Sequence, residues 1–195
     1  PGVEASDLAT NSHFTENAGN NMSIKNGIQH PDLYYTEGSS WSTNYGYYNL
    51  WSADNTVTGS VNQGNDNPVV KTVYDPCPAG FKMPANNAFT GFTTTGQNGG
   101  PMNVDGTDNS QTYQNNFGHN FWASSSKTAT IYFPISGSRH FINGSLGFVG
   151  DNGCYWSVVP YNVTTGCFLN ILSGYVAPRH AIPRAYGFAA HPVSE

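Results

Sequence analysis

The residues that could catalyse a reaction are few in this sequence, and their spacing fits no common catalytic motif. A glycosidase needs two facing carboxylates, but Asp151 and Glu195 are the only acidic residues after Asp108. The six histidines stand apart, without a His-Glu-x-x-His or Cys-x-x-Cys pattern, so a zinc centre is not expected. A Gly-x-Ser-x-Gly nucleophile elbow does not occur either. We therefore expect a protein that is not an enzyme.

Cys154 and Cys167 are the two cysteines whose spacing could support a disulfide. They flank a predicted hairpin, and a turn centred between Pro160 and Tyr161 would place them opposite each other, within bonding distance. A small error in register would separate them, so free thiols remain the alternative. Cys77 stands between two prolines and is expected to be a free, structural thiol.

One loop offers oxygen ligands of the kind that calcium prefers, namely Asp105, Asp108 and Asn109. A complete calcium site needs about six oxygens, and the loop does not have the spacing of an EF-hand. The same residue types are typical of a polar turn. We expect no cofactor and no metal site, with calcium at this loop as the alternative.

Aromatic residues are concentrated between residues 41 and 51, where flat rings could stack on the apolar faces of sugars. The alternative is packing in turns and core, because large aromatic side chains are mostly buried. The cluster comprises Trp41, Tyr45, Tyr47, Tyr48 and Trp51.

The composition favours a compact, β-rich and loop-rich domain. Charged residues make up 10% of the 195-residue chain and aromatic residues 14%, which is the reverse of a disordered chain. Lys and Arg total 7 against 12 acidic residues, for a net charge of −5, so nucleic acid is not an expected partner. No apolar run is long enough to cross a membrane, and we expect no direct membrane insertion by this segment.

Short strands, turns and one or two short helices are predicted from the pattern of β-branched, aromatic and turn residues. The expected strands cover residues 69–74, 131–135 and 186–193, with a hairpin over 154–171 and a short helix over 84–92. Residues 173–184 contain two prolines and are predicted to form a stiff loop that presents Tyr175, Arg179 and His180 at low entropic cost. The pattern therefore predicts a few short strands, one or two short helices and long irregular loops.

The segment 71–84, KTVYDPCPAGFKMP, resembles a motif of Bacteroidetes surface proteins, including fimbrillin-family lipoproteins and the Fibrobacter-type paralogous domain. Further matches follow in the same order at 132–139 (YFPISGSR), 155–157 (YWS) and 184–188 (RAYGF). The resemblance implies an α+β, C-type-lectin-like fold over residues 31–195, with a small, mainly antiparallel twisted sheet, one or two short helices and long irregular loops. Residues 1–30 are polar and contain the turn signals Asn20-Asn21 and Asn26-Gly27, so we expect an N-terminal arm or peripheral strand there. It also implies an extracellular location, on the outer membrane or at a fimbrial tip.

The C-terminal stretch also resembles proteins whose binding face is rewritten by a diversity-generating retroelement. A frame of residues is kept, and residue types that adenine mutation can produce from asparagine codons stand between the frame positions. Ordinary strand composition with a basic loop is the alternative. The resemblance implies a ligand-binding face made of Val158, Val159, Tyr161, Val163, Phe168, Ile171, Tyr175, Ala177, Arg179, His180 and Ile182.

We therefore expect a ligand-binding or adhesion module on a bacterial or phage-derived surface, with a protein or glycan on a cell surface as its partner. The alternative from another class is a structural fimbrial or tip subunit that acts in assembly. An oxidase or hydrolase is a remote third alternative, since a related fold hosts oxidases that use a cysteine pair.

Overall fold

The computed structural model describes residues 15–17, 29, 33–35, 51–53, 69–106, 117–142, 144–162 and 165–195. These residues form small, mostly antiparallel sheets and one short 3₁₀ helix, Asn86–Phe92, which confirms the prediction of a small β-rich domain. Their strands are β1 (Thr15–Asn17), β2 (Leu33–Tyr35), β3 (Phe81–Lys82), β4 (Gly118–Trp122), β5 (Thr130–Pro134), β6 (Ser138–Arg139), β7 (Leu146–Gly147), β8 (Gly153–Pro160), β9 (Thr165–Leu172), β10 (Tyr175–Pro183) and β11 (Val193–Ser194).

A three-stranded antiparallel sheet in the order β10–β9–β8 lies at the centre of the fold. β8 and β9 form the predicted hairpin, and every residue of β8 is buried. A strand reads as a continuous buried run when both faces of its sheet are covered. The sheet therefore acts as the partition between two hydrophobic clusters.

The two clusters lie on opposite faces of the central sheet. One contains Trp156 and Phe168 together with all three cysteines, and we call it the tryptophan cluster. The other contains Tyr155 and Leu169 and extends to aromatic residues of β4 and β5. Neighbouring residues such as Tyr155 and Trp156 belong to different clusters because successive side chains of a strand point to opposite faces.

The segment 71–84 is held together by two of its charged residues, Lys71 and Asp75. The Lys71 ammonium donates hydrogen bonds to the carbonyls of Cys77 (2.8 Å), Pro78 (2.7 Å) and Phe81, and lies 3.2 Å from the Glu195 carboxylate. The carboxylate of Asp75 accepts the backbone N–H groups of Cys77 (2.8 Å) and of Met83 (2.9 Å). The charged residues of the motif thus stabilise a turn and its contact with the C-terminal strand.

Two predicted elements of the first half of the domain differ from the structure. Residues 69–74 form a single bridge at Lys71 rather than a strand. Val73 is 91% exposed, so its β-branched side chain is not packed within a sheet. The helix predicted from Pro84 begins at Asn86, because the carbonyl of Pro84 accepts the N–H of Val158 and belongs to the contact with β8.

Two predictions near the C-terminus also differ. Residues 173–184, predicted as a loop, contain the nine-residue strand β10. The strand predicted over 186–193 is reduced to bridges at Gly187 and Ala189 and to the two-residue β11. No helix of the described residues combines the length and the apolar character needed to cross a membrane.

Candidate functional site

Strand β10 forms where a loop was predicted because its prolines stand at positions that tolerate them. Pro178 lies in the bulge at which the register with β9 shifts, between Ala177 and His180. Pro183 is the last residue of the strand. Proline lacks an N–H donor, and sheets accommodate it at bulges and at edges. β10 is the terminal strand of the central sheet, so neither proline interrupts pairing between two neighbours.

The first half of β10 is fixed by the loop that follows the 3₁₀ helix. The side-chain amide of Asn98 donates to the carbonyl of Arg179 (2.9 Å), and its oxygen accepts the N–H of Arg179 (3.1 Å). The N–H of Gly99 donates to the carbonyl of Val176 (2.9 Å). The side chain of Asn98 therefore pairs with β10 much as a residue of a neighbouring strand would.

Arg179 is an interior residue that joins three elements. Its side chain is 7% exposed, and its guanidinium donates to Asn87 of the helix and to the carbonyl of Gly96 in the loop, both at 3.2 Å. Buried charges persist in proteins when they are hydrogen-bonded. Arg179 thus positions β10 against the helix and the loop, whereas the sequence placed it on a ligand-binding face.

Most of the predicted binding residues lie inside the protein. The central sheet is covered on both faces, so side chains expected to meet a ligand pack in its core instead. This corrects the prediction for six residues, whose exposed fractions run from 0 to 7%: Val158, Val159, Phe168, Ile171, Ala177 and Arg179. Val163 is outside the described residues. Tyr161, Tyr175, His180 and Ile182 reach the surface at least in part.

These four residues form two groups at opposite ends of β10. Tyr175 pairs with Leu172 at one end, and its ring lies against Gly99, whose added Cβ would be 3.1 Å from that ring. Ile182 pairs with Gly166 near the other end. Ile182 stands seven positions after Tyr175 along the strand, which corresponds to roughly 23 Å. A single compact site containing all four residues is therefore not formed.

The larger group lies where the β8–β9 hairpin turns, at the rim of the tryptophan cluster. Half-buried aromatic residues from the C-terminal segment adjoin it, and the rings of Phe188 and Trp156 are 4.6 Å apart. The ring centroids of Tyr186 and Phe188 are 5.4 Å apart. We call this group the hairpin-end surface, and it comprises Tyr161, His180, Ile182, Tyr186 and Phe188.

His180 is held in a defined orientation on this surface. Its ring packs edge-on against Phe168, with centroids 5.2 Å apart. Its Nδ1 accepts the backbone N–H of Ala181 at 2.9 Å and lies 3.2 Å from the carbonyl oxygen of the same residue. The contacts with Phe168 and with the backbone of Ala181 therefore fix a polar ring at the partly exposed rim.

The structure does not bear out the disulfide between Cys154 and Cys167, since all three cysteines are free and buried. Asn162 caps the hairpin turn by accepting the N–H of Thr165 (2.9 Å), so the turn lies later than the sequence suggested. Cys154 consequently faces Asn170 rather than Cys167. Burial raises the pKa of the Cys154 thiol to about 12 and that of Cys167 to about 11.

The remaining candidates are placed only in part. Asp105 is exposed, whereas Asp108 and Asn109 are outside the described residues. Where the structure describes side chains, no three His, Cys, Asp or Glu residues lie close enough to hold a metal ion.

Trp51 packs half-buried against the tryptophan cluster. The other aromatic residues of its sequence cluster, Trp41, Tyr45, Tyr47 and Tyr48, are outside the described residues.

Two residues that matter most in this geometry had no distinguishing signal in the sequence. Asn98 stands in a polar Gly-rich loop, where nothing marks it as a partner of β10. Tyr186 lies in a predicted strand and in the segment 184–188 of the resemblance, and neither assigned it a binding role.

Comparison with protein-family models, with curated proteins and with solved structures gave no match for this chain.

Proposed function

We propose that this chain is a ligand-binding module that presents the hairpin-end surface to a protein or glycan. The observation that carries the proposal is the fixation of β10 on both sides. β9 pairs with it along one side, and Asn98, Gly99 and Tyr186 bond to its backbone along the other. A surface that is ordered before binding loses less conformational entropy when a ligand arrives.

The chemistry of the hairpin-end surface suits such a ligand. Tyr161 and Tyr186 combine an apolar ring with a hydroxyl, and His180 adds a polar imidazole two residues before the apolar Ile182. Aromatic rings of this kind contact the C–H faces of sugars while their polar tips form hydrogen bonds. Tyrosine is also enriched among the residues that dominate protein interfaces.

A cell-surface location and a C-type-lectin-like fold are part of the proposal, supported by the resemblance of segments 71–84, 132–139 and 184–188 to Bacteroidetes surface proteins. Diversification of the C-terminal face is not part of it, because six of the eleven implied positions are buried. We also propose that the module has no catalytic activity. The high thiol pKa values of Cys154 and Cys167 leave little thiolate for nucleophilic chemistry at neutral pH.

The test is binding of the whole chain to arrays of glycans and of bacterial and host surface proteins, followed by titration of the strongest ligand. Tyr161→Ala should weaken binding at least about tenfold, which corresponds to about 1.4 kcal/mol. Tyr74→Ala is the matched control, since Tyr74 is 45% exposed on the turn after residue 71 and lies outside the hairpin-end surface. Equal affinity of both variants and the parent chain would reject this surface, and the lack of any ligand would reject the function.

A further inference from the structure

The outer side of β10 is the edge at which the central sheet could grow. At the opposite edge, β8 is covered by the chain itself. The N–H of Trp156 donates to the carbonyl of Ala189, the N–H of Ala189 donates to that of Cys154, both at 3.1 Å, and Val158 donates to Pro84 (2.8 Å). A long edge strand with available N–H and C=O groups is a template for pairing with another chain. With nine residues, β10 is long enough to be such a template.

The backbone groups on the outer side of β10 are engaged one after another by partners within the same chain. Gly99 donates to the carbonyl of Val176 (2.9 Å), and Tyr186 donates to that of Pro183 (3.1 Å). Asn98 bonds both the N–H and the carbonyl of Arg179. Each of these contacts occupies a group that a neighbouring strand would otherwise use.

Two further outward positions are closed by side-chain chemistry. The ring of His180 accepts the N–H of Ala181 at 2.9 Å. Two positions further along the strand, Pro183 has no N–H to offer. The bulge at Pro178 adds an irregularity that a partner strand would have to match.

We propose that Asn98 and His180 hold β10 closed to strand addition, and that the partner they exclude is β10 of a second copy of this chain. Two identical antiparallel edges can pair about a twofold axis, because such an interface is self-complementary. The strand is buried over Val176–Arg179 and half-buried from His180 onward, so an opened edge would also present apolar surface. The closure favours partners that contact side chains over partners that contribute a strand.

Asn98 is the decisive contact because it occupies two backbone groups at once. Asn98→Ala leaves the N–H and carbonyl of Arg179 without these bonds and loosens the attachment of the loop at Gly99. Asn103→Ala is the matched control. The Asn103 amide also bonds backbone carbonyls, those of Gly91 (2.9 Å) and Trp122 (3.4 Å), and neither residue belongs to β10.

The experiment measures molar mass by light scattering over a wide range of concentration, with circular dichroism to verify folding. The parent chain and Asn103→Ala are expected to keep the same mass throughout. The molar mass of Asn98→Ala is expected to rise toward twice that of the parent chain as concentration increases. Hydrogen exchange at Arg179 and Ala181 should be faster than in the parent chain when the variant is dilute, and slower when it is associated.

A second variant and a probe of the unmodified chain keep the proposal open to refutation. His180→Phe retains the ring on Phe168 but loses the acceptor for Ala181, and it is expected to associate like Asn98→Ala, though more weakly. A synthetic peptide with the sequence of residues 175–183 should not bind the parent chain. Folded variants that keep the parent mass, or measurable binding of the peptide by the parent chain, would overturn the proposal.

Discussion

The side chain of Asn98 and the backbone of Arg179 exchange two hydrogen bonds, at 2.9 and 3.1 Å, across 81 residues of chain. One residue thereby performs two tasks. It fixes the strand that leads to the hairpin-end surface, and it occupies backbone groups that another strand could use. The proposed binding surface and the proposed closure of β10 therefore depend on the same side chain.

Removal of the Arg179 side chain is expected to lower stability. Arg179→Ala breaks the hydrogen bonds to Asn87 and Gly96 and empties a buried position, and hydrogen bonds to charged groups contribute about 1.5–3 kcal/mol each. We expect a loss of about 3 kcal/mol in the free energy of unfolding, measured by urea denaturation. Lys127→Ala removes an exposed cation and should change stability little. Similar values for the two variants would show that Arg179 does not join these elements.

A side chain at position 99 is disfavoured by both the backbone angle of Gly99 and the nearby ring of Tyr175. Gly99 has φ +70°, and an added Cβ would lie 3.1 Å from the Tyr175 ring. Gly80 has φ +82° with nothing within 4 Å, so Gly80→Ala isolates the backbone strain of about 1–2 kcal/mol. Gly99→Ala should cost more in thermal denaturation and should also change the environment of Tyr175. Equal losses would mean that the contact with Tyr175 contributes nothing.

Stability should decrease in mild acid because of His191. Its ring stacks on Phe133, with centroids 4.1 Å apart, and desolvation lowers its pKa below the ordinary 6.5. The unfolded chain therefore takes up a proton before the folded one does. The contribution of His191 is present above pH 6.5 and is lost as the pH falls from there toward the folded pKa. Denaturation of the parent chain and of His191→Gln between pH 8 and pH 5 should give a steeper decline for the parent chain, and parallel curves would contradict this assignment.

The cysteines should be unreactive in the folded protein. Burial and the raised pKa values of Cys154 and Cys167 predict that a thiol reagent at neutral pH labels neither of them until the chain unfolds. Ellman's reagent, added with and without denaturant, measures this, and mass spectrometry under non-reducing conditions measures oxidation. Rapid labelling of the folded chain, or a mass two hydrogens lighter than the reduced one, would contradict the free and buried thiols.

Strands predicted from β-branched and aromatic residues were confirmed where the chain also provides a neighbouring strand to pair with. The hairpin of β8 and β9 and the strand β5 were recognised from such residues. Residues 69–74 have a similar composition, but among the described residues they form only the single bridge between Lys71 and Ser52. β10 was missed because its prolines imply a loop unless the bulge and the edge position are known. Local sequence does not encode either circumstance.

The exposure of the candidate site residues was predicted less well than the fold, because burial depends on contacts between residues distant in the chain. Phe168 and Ile171 have residue types that suit a core or a binding face equally, and burial is decided by elements distant in the chain. The disulfide depended on the register, which the Asn162 cap set differently from the predicted turn. Four residues of the predicted set have side chains that reach the surface, namely Tyr161, Tyr175, His180 and Ile182.

The most direct measurement is the footprint of a bound ligand on the unmodified chain. Once an array has identified a glycan or protein, NMR chemical shifts recorded during titration with it report which residues it contacts. Binding through the hairpin-end surface predicts the largest changes at Tyr161, His180, Ile182, Tyr186 and Phe188, with Tyr74 unchanged. Changes concentrated on the turn after residue 71 or at Tyr175, with the hairpin-end surface silent, would contradict the proposed site.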